Sequence, residues 1–204
     1  MDMVTDTTGT LSPATIGGII CPGTNCTIKR FYGFGRNASN LDQTEVATRA
    51  ELASNCKTGF PCARFSGRQY YATDKNVAAS VYRPPQVAFV AERTGATAVL
   101  NPVLSFNGSN FGLVGFAATP DTATANSGVE EKERPAKDNE LQTHGVILDH
   151  SVGTIETVYL GTDNLNHYLV GDFNEVGLYD FGDILQLKAL CQNQASYYRV
   201  QASC

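Results

Sequence analysis

The sequence predicts an all-β protein: an antiparallel β-sandwich or jelly roll of about seven to nine short strands, with an extended N-terminal arm and one short helix near residues 41–54. Three observations predict it. Beyond Arg64, apolar segments run at a period of two, and Gly, Asn, Asp or Pro bounds each of them. Charged residues make up only 17% of the 204-residue chain and hydrophobic residues 42%, too apolar for disorder and too poor in Leu, Glu and Lys for a helical bundle. No helical period separates the strand segments, so a doubly wound α/β fold is not expected.

Residues 1–63 read as an arm with cysteine loops and the short helix, and residues 64–204 as the sandwich. The arm is rich in Thr, Gly, Pro and Asn, with brief apolar beads. Asn40 as N-cap with Gln43 three residues on forms a capping-box pattern, and Val46, Ala47, Ala50 and Ala53 recur at helical steps. Strand candidates follow at residues 87–91, 98–100, 102–106, 111–116, 146–148, 154–160, 167–170, 184–189 and 197–202. Asn107-Gly108 and Gly161-Thr162-Asp163 carry turn chemistry. Residues 130–140 hold eight charges in eleven positions around Pro135, and the expectation there is a solvated loop.

The six cysteines are an even set: Cys21, Cys26, Cys56, Cys62, Cys191 and Cys204. Cys21-Pro-Gly-Thr-Asn-Cys26 and Cys56-Lys-Thr-Gly-Phe-Pro-Cys62 each enclose turn residues and suit small disulfide loops, with free buried thiols and zinc as the rival readings. The last pair poses an alternative. If residues 184–191 and 197–204 form a hairpin, Cys191 and Cys204 lie about 20 Å apart at the strand rise and cannot bond. Either the hairpin or the disulfide exists, not both.

The segment Val87-Ala88-Phe89-Val90-Ala91-Glu92-Arg93-Thr94-Gly95 and the later Gly182-Asp183-Ile184-Leu185-Gln186-Leu187 resemble the first and last strands of C1q/TNF-like trimeric jelly rolls. That resemblance implies a jelly roll that trimerises.

Charge and chemistry narrow the function. A net charge of −5 without a Lys/Arg cluster speaks against a nucleic-acid partner, and no apolar stretch is long enough to span a membrane. His144, His150 and His167 are the only histidines, and Asp149-His150-Ser151 is discounted as a triad because triad members meet in space, not in sequence. Asp163, Asp172, Glu175, Asp180 and Asp183, with Asn164, Asn166 and Asn174 among them, are the candidate metal ligands or glycosidase carboxylates; calcium is the cofactor they would suit. The same residue types also simply build turns. Sequons at Asn25, Asn37 and Asn107 fit an exposed setting.

The expected function is a non-enzymatic structural or adhesive subunit of an extracellular or viral assembly. Its partners would be copies of itself, other structural subunits, or a host-surface glycan or receptor. Met1 without a secretory pattern behind it inclines the expectation toward a virion surface. The alternative is a secreted carbohydrate-binding or carbohydrate-active sandwich using the C-terminal acidic loops.

Overall fold

The computed structural model describes residues 26–32, 40–54, 56–57, 59–73, 79–81, 86–95, 99–108, 112–126, 131–147, 153–164, 166–179 and 184–204. Its strands are β1 (Arg30–Phe31), β2 (Leu41–Asp42), β3 (Glu51–Ala53), β4 (Cys62–Ser66), β5 (Tyr71–Thr73), β6 (Ala79–Val81), β7 (Gln86–Ala91) and β8 (Asn101–Gly108). There follow β9 (Gly112–Phe116), β10 (Thr122–Asn126), β11 (Glu131–Pro135), β12 (Gln142–Ile147), β13 (Gly153–Leu160), β14 (Val170–Tyr179), the helix α1 (Ile184–Tyr198) and β15 (Gln201–Ser203). They form two sheets, and the fold is all-β and sandwich-like. The nine-stranded sheet runs β1-β2-β5-β13-β8-β9-β10-β11, with β6 also on β13. The six-stranded sheet runs β15-β12-β7-β14-β4-β3. Pairing is antiparallel except for β15, which lies parallel to β12.

Between the sheets lies one apolar core. Phe65, Phe89, Phe106, Phe116, Leu160 and Leu169 are essentially inaccessible to solvent, and burying a side chain of this size contributes about 1.5–3 kcal/mol. The rings meet edge to face, as for Phe65–Phe173 and Phe89–Phe116, both at 6.2 Å between centroids, the arrangement that aromatic quadrupoles favour. His144 belongs to this core, its ring stacked on Phe89 at 5.0 Å.

Every residue of β7 is buried. Its inward positions Val87, Phe89 and Ala91 join the core. Its other face, Gln86, Ala88 and Val90, stands in register with Glu175 and Gly177 of β14 and with Thr143 and Gly145 of β12. α1 packs there: a Cβ added at Gly145 would meet Cys191 and Leu187, and Gln194 and Tyr198 bond to Glu175. A strand covered on both faces therefore reads as an unbroken apolar run.

Both flanks of the sandwich are fastened. Residues 26–28 pair with the six-stranded sheet through Ile28 N–H to Ala50 O and Leu52 N–H to Cys26 O. Two residues further on, the same segment becomes β1 and joins the nine-stranded sheet through β2. At the opposite flank Ser203 Oγ of β15 donates to Pro135 O of β11 at 3.1 Å.

The structure corrects four expectations. Residues 41–54 form no α-helix; they hold β2, a single 3-10 turn (Val46–Thr48) and β3. Gln43 does not cap a helix. It is buried, its Nε2 donates to Tyr70 O, and its Oε1 accepts the Glu45 N–H. An alanine stripe offers a helix little area to bury, and strand pairing with β4 and β5 wins.

Residues 184–189 and 197–198 are helix, not strand. Leu187, Cys191 and Ala195 recur at four-residue steps and are all buried, so the helical period needs the full fifteen residues to be seen. The helix closes on Arg199 in the left-handed region (φ 56°), with Val200 N–H bonded to Ala195 O and Arg199 N–H to Ser196 O, a Schellman ending. Residues 184–187 are thus not the last strand of a trimeric jelly roll, and the tyrosine pair at 197–198 sits on a helix.

The charged run is not wholly a loop, because residues 131–135 pair with β10 as the edge strand β11. Charges on an edge strand discourage pairing with other chains. Finally, the strands outnumber the expected set, the additions being mostly elements of two or three residues (β1, β2, β3, β5, β6 and β15).

Candidate functional site

α1 covers only part of the outer face of the six-stranded sheet. The remainder of that face, Arg64 of β4 and Asp172 of β14, together with Glu92 and Thr94 just past the end of β7, forms the floor of an open cleft of about 600 Å³. Cys56, Lys57 and Gly59 line it too, from the loop between β3 and β4. The Cys56–Cys62 disulfide closes this loop on itself, with Cα atoms 6.1 Å apart. The loop is also the border between cleft and helix. Phe60 stacks on Tyr197 at 5.2 Å and meets Tyr198 edge-on at 5.5 Å, while Asn174 Nδ2 donates to Pro61 O.

The cleft's charges are layered. Lys57 Nζ bonds Glu92 Oε2 at 2.6 Å, with side-chain exposures of 51% and 2%; Arg64 grips Asp172, with exposures of 46% and 8%. The Arg64 contact is a fork, Nε to Oδ1 at 2.8 Å and Nη2 to Oδ2 at 2.9 Å. The bonded Asp172 carboxylate raises the Arg64 pKa further above its usual value. So the anions form the buried layer and the cations face the solvent.

Arg93 anchors the end of the cleft from within. It is fully buried. Its guanidinium bonds Asp138 Oδ1, the Thr119 carbonyl at 2.9 Å and the Ala117 carbonyl, and lies 5.7 Å from the Phe116 ring centroid. Asp138 in turn accepts the Asp121 N–H, and Asp138 N–H donates to Asp121 Oδ1. The adjoining turn is tied to the cleft by Asn139, whose N–H bonds Arg93 O and whose carbonyl accepts from Lys57 Nζ.

Of the acidic residues singled out in the sequence, the three that are described, Asp163, Asp172 and Glu175, do not converge. Asp163 shapes its own turn, accepting the N–H groups of Asn166 and His167 and pairing with His167 Nδ1 at 2.5 Å. Asp172 lies in the cleft. Glu175 sits under α1, accepting Gln194 Nε2 at 3.0 Å and the Tyr198 hydroxyl at 3.2 Å. Burial first, and then the Glu175 charge, push the Tyr198 phenol up. Asp180, Asp183, His150 and Cys21 lie outside the described residues.

Among the described residues, the one group of ligand-type atoms within 4.8 Å of one another is Cys56, Cys62 and Asp172. Two of its three donors are the sulfurs of a disulfide, so it offers neither zinc thiolates nor the oxygen shell of calcium.

Cys191 bonds Cys204, the Cα atoms 6.0 Å apart. The disulfide thus exists and the hairpin does not: a helix, a tight turn and the three residues of β15 bring the chain end back beside Cys191. Cys26 is disulfide-bonded as well.

Lys57, Arg64, Glu92 and the Phe60–Tyr197 contact are not marked by any pattern of their own in the sequence. The one signal is the Cys-x5-Cys loop that carries Lys57 and Phe60. No protein-family model matches this chain, and neither a curated protein nor a solved structure shows significant similarity to it.

Proposed function

We propose that this chain is a non-enzymatic structural or adhesive subunit of an extracellular or viral assembly, a virion, fibre or surface filament, acting by subunit packing and surface attachment. The observation that carries the reading is how the shell is fastened. One segment, residues 26–31, crosses between the sheets and seals a flank, while disulfides clamp the cleft loop and the C-terminus. Such fastening suits a unit that must persist outside the cell, where disulfides last. The described charges of the cleft are already bonded to one another, which suits a contact surface better than a reacting centre.

Light scattering on the native chain across a wide concentration range, with electron microscopy of the same samples, tests the reading. Discrete oligomers, filaments or particles are the expected result. A monodisperse monomer throughout, with neither filament nor particle in the images, overturns it.

A secreted carbohydrate-binding sandwich is the second reading. The placement of an open polar cleft beside Phe60 and the half-exposed Tyr197 favours it. Glycan-array binding by a chain that stays a monodisperse monomer would decide for it.

A further inference from the structure

Two cations share the cleft, and each is held by a carboxylate that is almost wholly buried. The bonds to Asp172 occupy Nε and Nη2 of Arg64, and among the described residues Nη1 has no protein acceptor. Lys57 Nζ gives two of its three N–H bonds to Glu92 and to the Asn139 carbonyl. Remaining donors on both heads are therefore held in place around the cleft, half in solvent, with the entropy of fixing two long side chains already spent on folding. Thr94 and Gly59 also line the cleft; the Gly59 N–H is bonded to Cys56 O at 2.8 Å, which leaves its carbonyl as an acceptor beside the Thr94 hydroxyl. Preset cationic donors beside neutral hydrogen-bonding groups, in an open cleft of sugar size, match a polyhydroxylated ring that carries an oxyanion.

We propose that the cleft binds an anionic saccharide, its carboxylate taken by the remaining donors of Arg64 and Lys57 and its ring hydroxyls by the Thr94 side chain and the Gly59 carbonyl. The inference rests on the attachment role proposed above and names the ligand class for it. Glu92 and Asp172 stay beneath the cations, fixing them without reaching the sugar. Neutral sugars bind weakly because the charge-assisted bonds are missing.

The test is an amide NMR titration of the full chain with 3′-sialyllactose, lactose, 3′-sulfated lactose and inorganic sulfate as separate probes. Saturable shifts centred on Lys57, Gly59, Arg64 and Thr94 with sialyllactose are expected, at least tenfold weaker with lactose and with sulfate. Arg64→Lys keeps a cation beside Asp172 but loses the fork, and Lys57→Gln keeps a donor beside Glu92; each should weaken sialyllactose at least tenfold while amides away from the cleft stay in place.

Equal response to lactose overturns the role of the anion, and equal response to inorganic sulfate overturns the saccharide. Tighter binding of the sulfated sugar overturns the carboxylate assignment. Absence of saturable shifts, or binding undiminished in Lys57→Gln, overturns the site itself. Light scattering reads the assembly role separately, so a monomer that still binds sialyllactose would sink that role and leave the cleft standing.

Discussion

The Tyr71 hydroxyl donates to the Ile28 carbonyl at 2.6 Å while accepting the Ala50 N–H at 2.9 Å. Ile28 belongs to the segment that crosses between the sheets, so this one phenol rivets the sealed flank. Phe31, two residues into the nine-stranded sheet, packs edge-on to the Tyr71 ring at 4.7 Å.

Tyr71→Phe removes both bonds and leaves a buried N–H and a carbonyl unsatisfied, for an expected loss of about 1–3 kcal/mol in urea unfolding at pH 7. Alkaline pH provides a second readout. Burial pushes the Tyr71 phenol up from 10 to about 12. A raised folded-state pKa gives stability that is whole below pH 10 and is lost as pH rises toward 12, because the unfolded chain releases its proton first. Wild-type stability should therefore fall through this window, and the fall should be shallower in Tyr71→Phe. Parallel slopes in the two proteins would refute the assignment. Tyr198, also shifted upward, leaves some slope in both.

Arg93→Met should be among the most damaging single substitutions. It removes the partner of Asp138, a side chain only 10% exposed, and strips the Thr119 and Ala117 carbonyls of their donor. Breaking a buried pair from one side costs about 3–5 kcal/mol. The damage should begin locally, as faster hydrogen exchange at Asp121, Ala136 and Asn139, whose amides all bond within this knot. Adding Asp138→Asn removes the stranded charge and should recover part of the loss; no recovery in the double variant would contradict the pairing.

Gly171→Ala tests the close approach of β14 to the end of β7. A Cβ at residue 171 would stand 1.8 Å from the Glu92 carbonyl oxygen and 2.9 Å from its carbon. Those are backbone atoms, so the strands must part. Parting breaks Glu92 N–H to Asp172 O and Thr94 N–H to Val170 O, both 2.9 Å. Overpacking and two lost bonds together predict a loss of about 3–4 kcal/mol in denaturant unfolding. A loss below 1 kcal/mol would mean that the cleft floor is looser than the distances imply.

How far the fold is legible in the sequence depends on what each strand touches. β7, β8, β9, β12 and β13 overlap segments read from the sequence, and where described their inward residues form the core. β10, Thr-Ala-Thr-Ala-Asn, gave no signal because its side chains are small, and β11 none because charges mask an edge strand. β14 was seen only at its start: its outer face meets the cleft and α1, so Asp172, Asn174 and Glu175 stand where an ordinary strand would show apolar residues.

The site leaves the least trace in the sequence. Asp172 and Glu175 stood out as carboxylates, yet Arg64 pairs with Asp172 across 108 residues and Tyr198 reaches Glu175 across 23. Spacing along a chain carries no trace of such pairs; only the sheet register brings them together. The C-terminal cysteines were legible as a choice between two geometries, and the helical period that decided between them showed only over a window longer than one strand.

The two disulfides with both partners described should differ in what their removal does. Cys191–Cys204 spans 13 positions and Cys56–Cys62 spans six. Chain entropy alone makes the longer loop the stronger stabiliser, by roughly 0.7 kcal/mol. Structure sharpens the contrast. Cys191 is fully buried between α1 and the sheet at Gly145, and its partner holds β15 against β12, so Cys191→Ser with Cys204→Ser should cost about 2–4 kcal/mol and release β15. Hydrogen exchange would show it as lost protection at residues 201–203 and in the second half of α1. Cys56→Ser with Cys62→Ser should instead spare α1 and loosen the Lys57–Glu92 contact, read as a changed environment at Lys57 and Phe60 with a smaller drop in Tm. If the two double variants lose equal stability and expose the same amides, the disulfides do not act on separate units, and the division of the outer face into helix-covered and open halves fails with them.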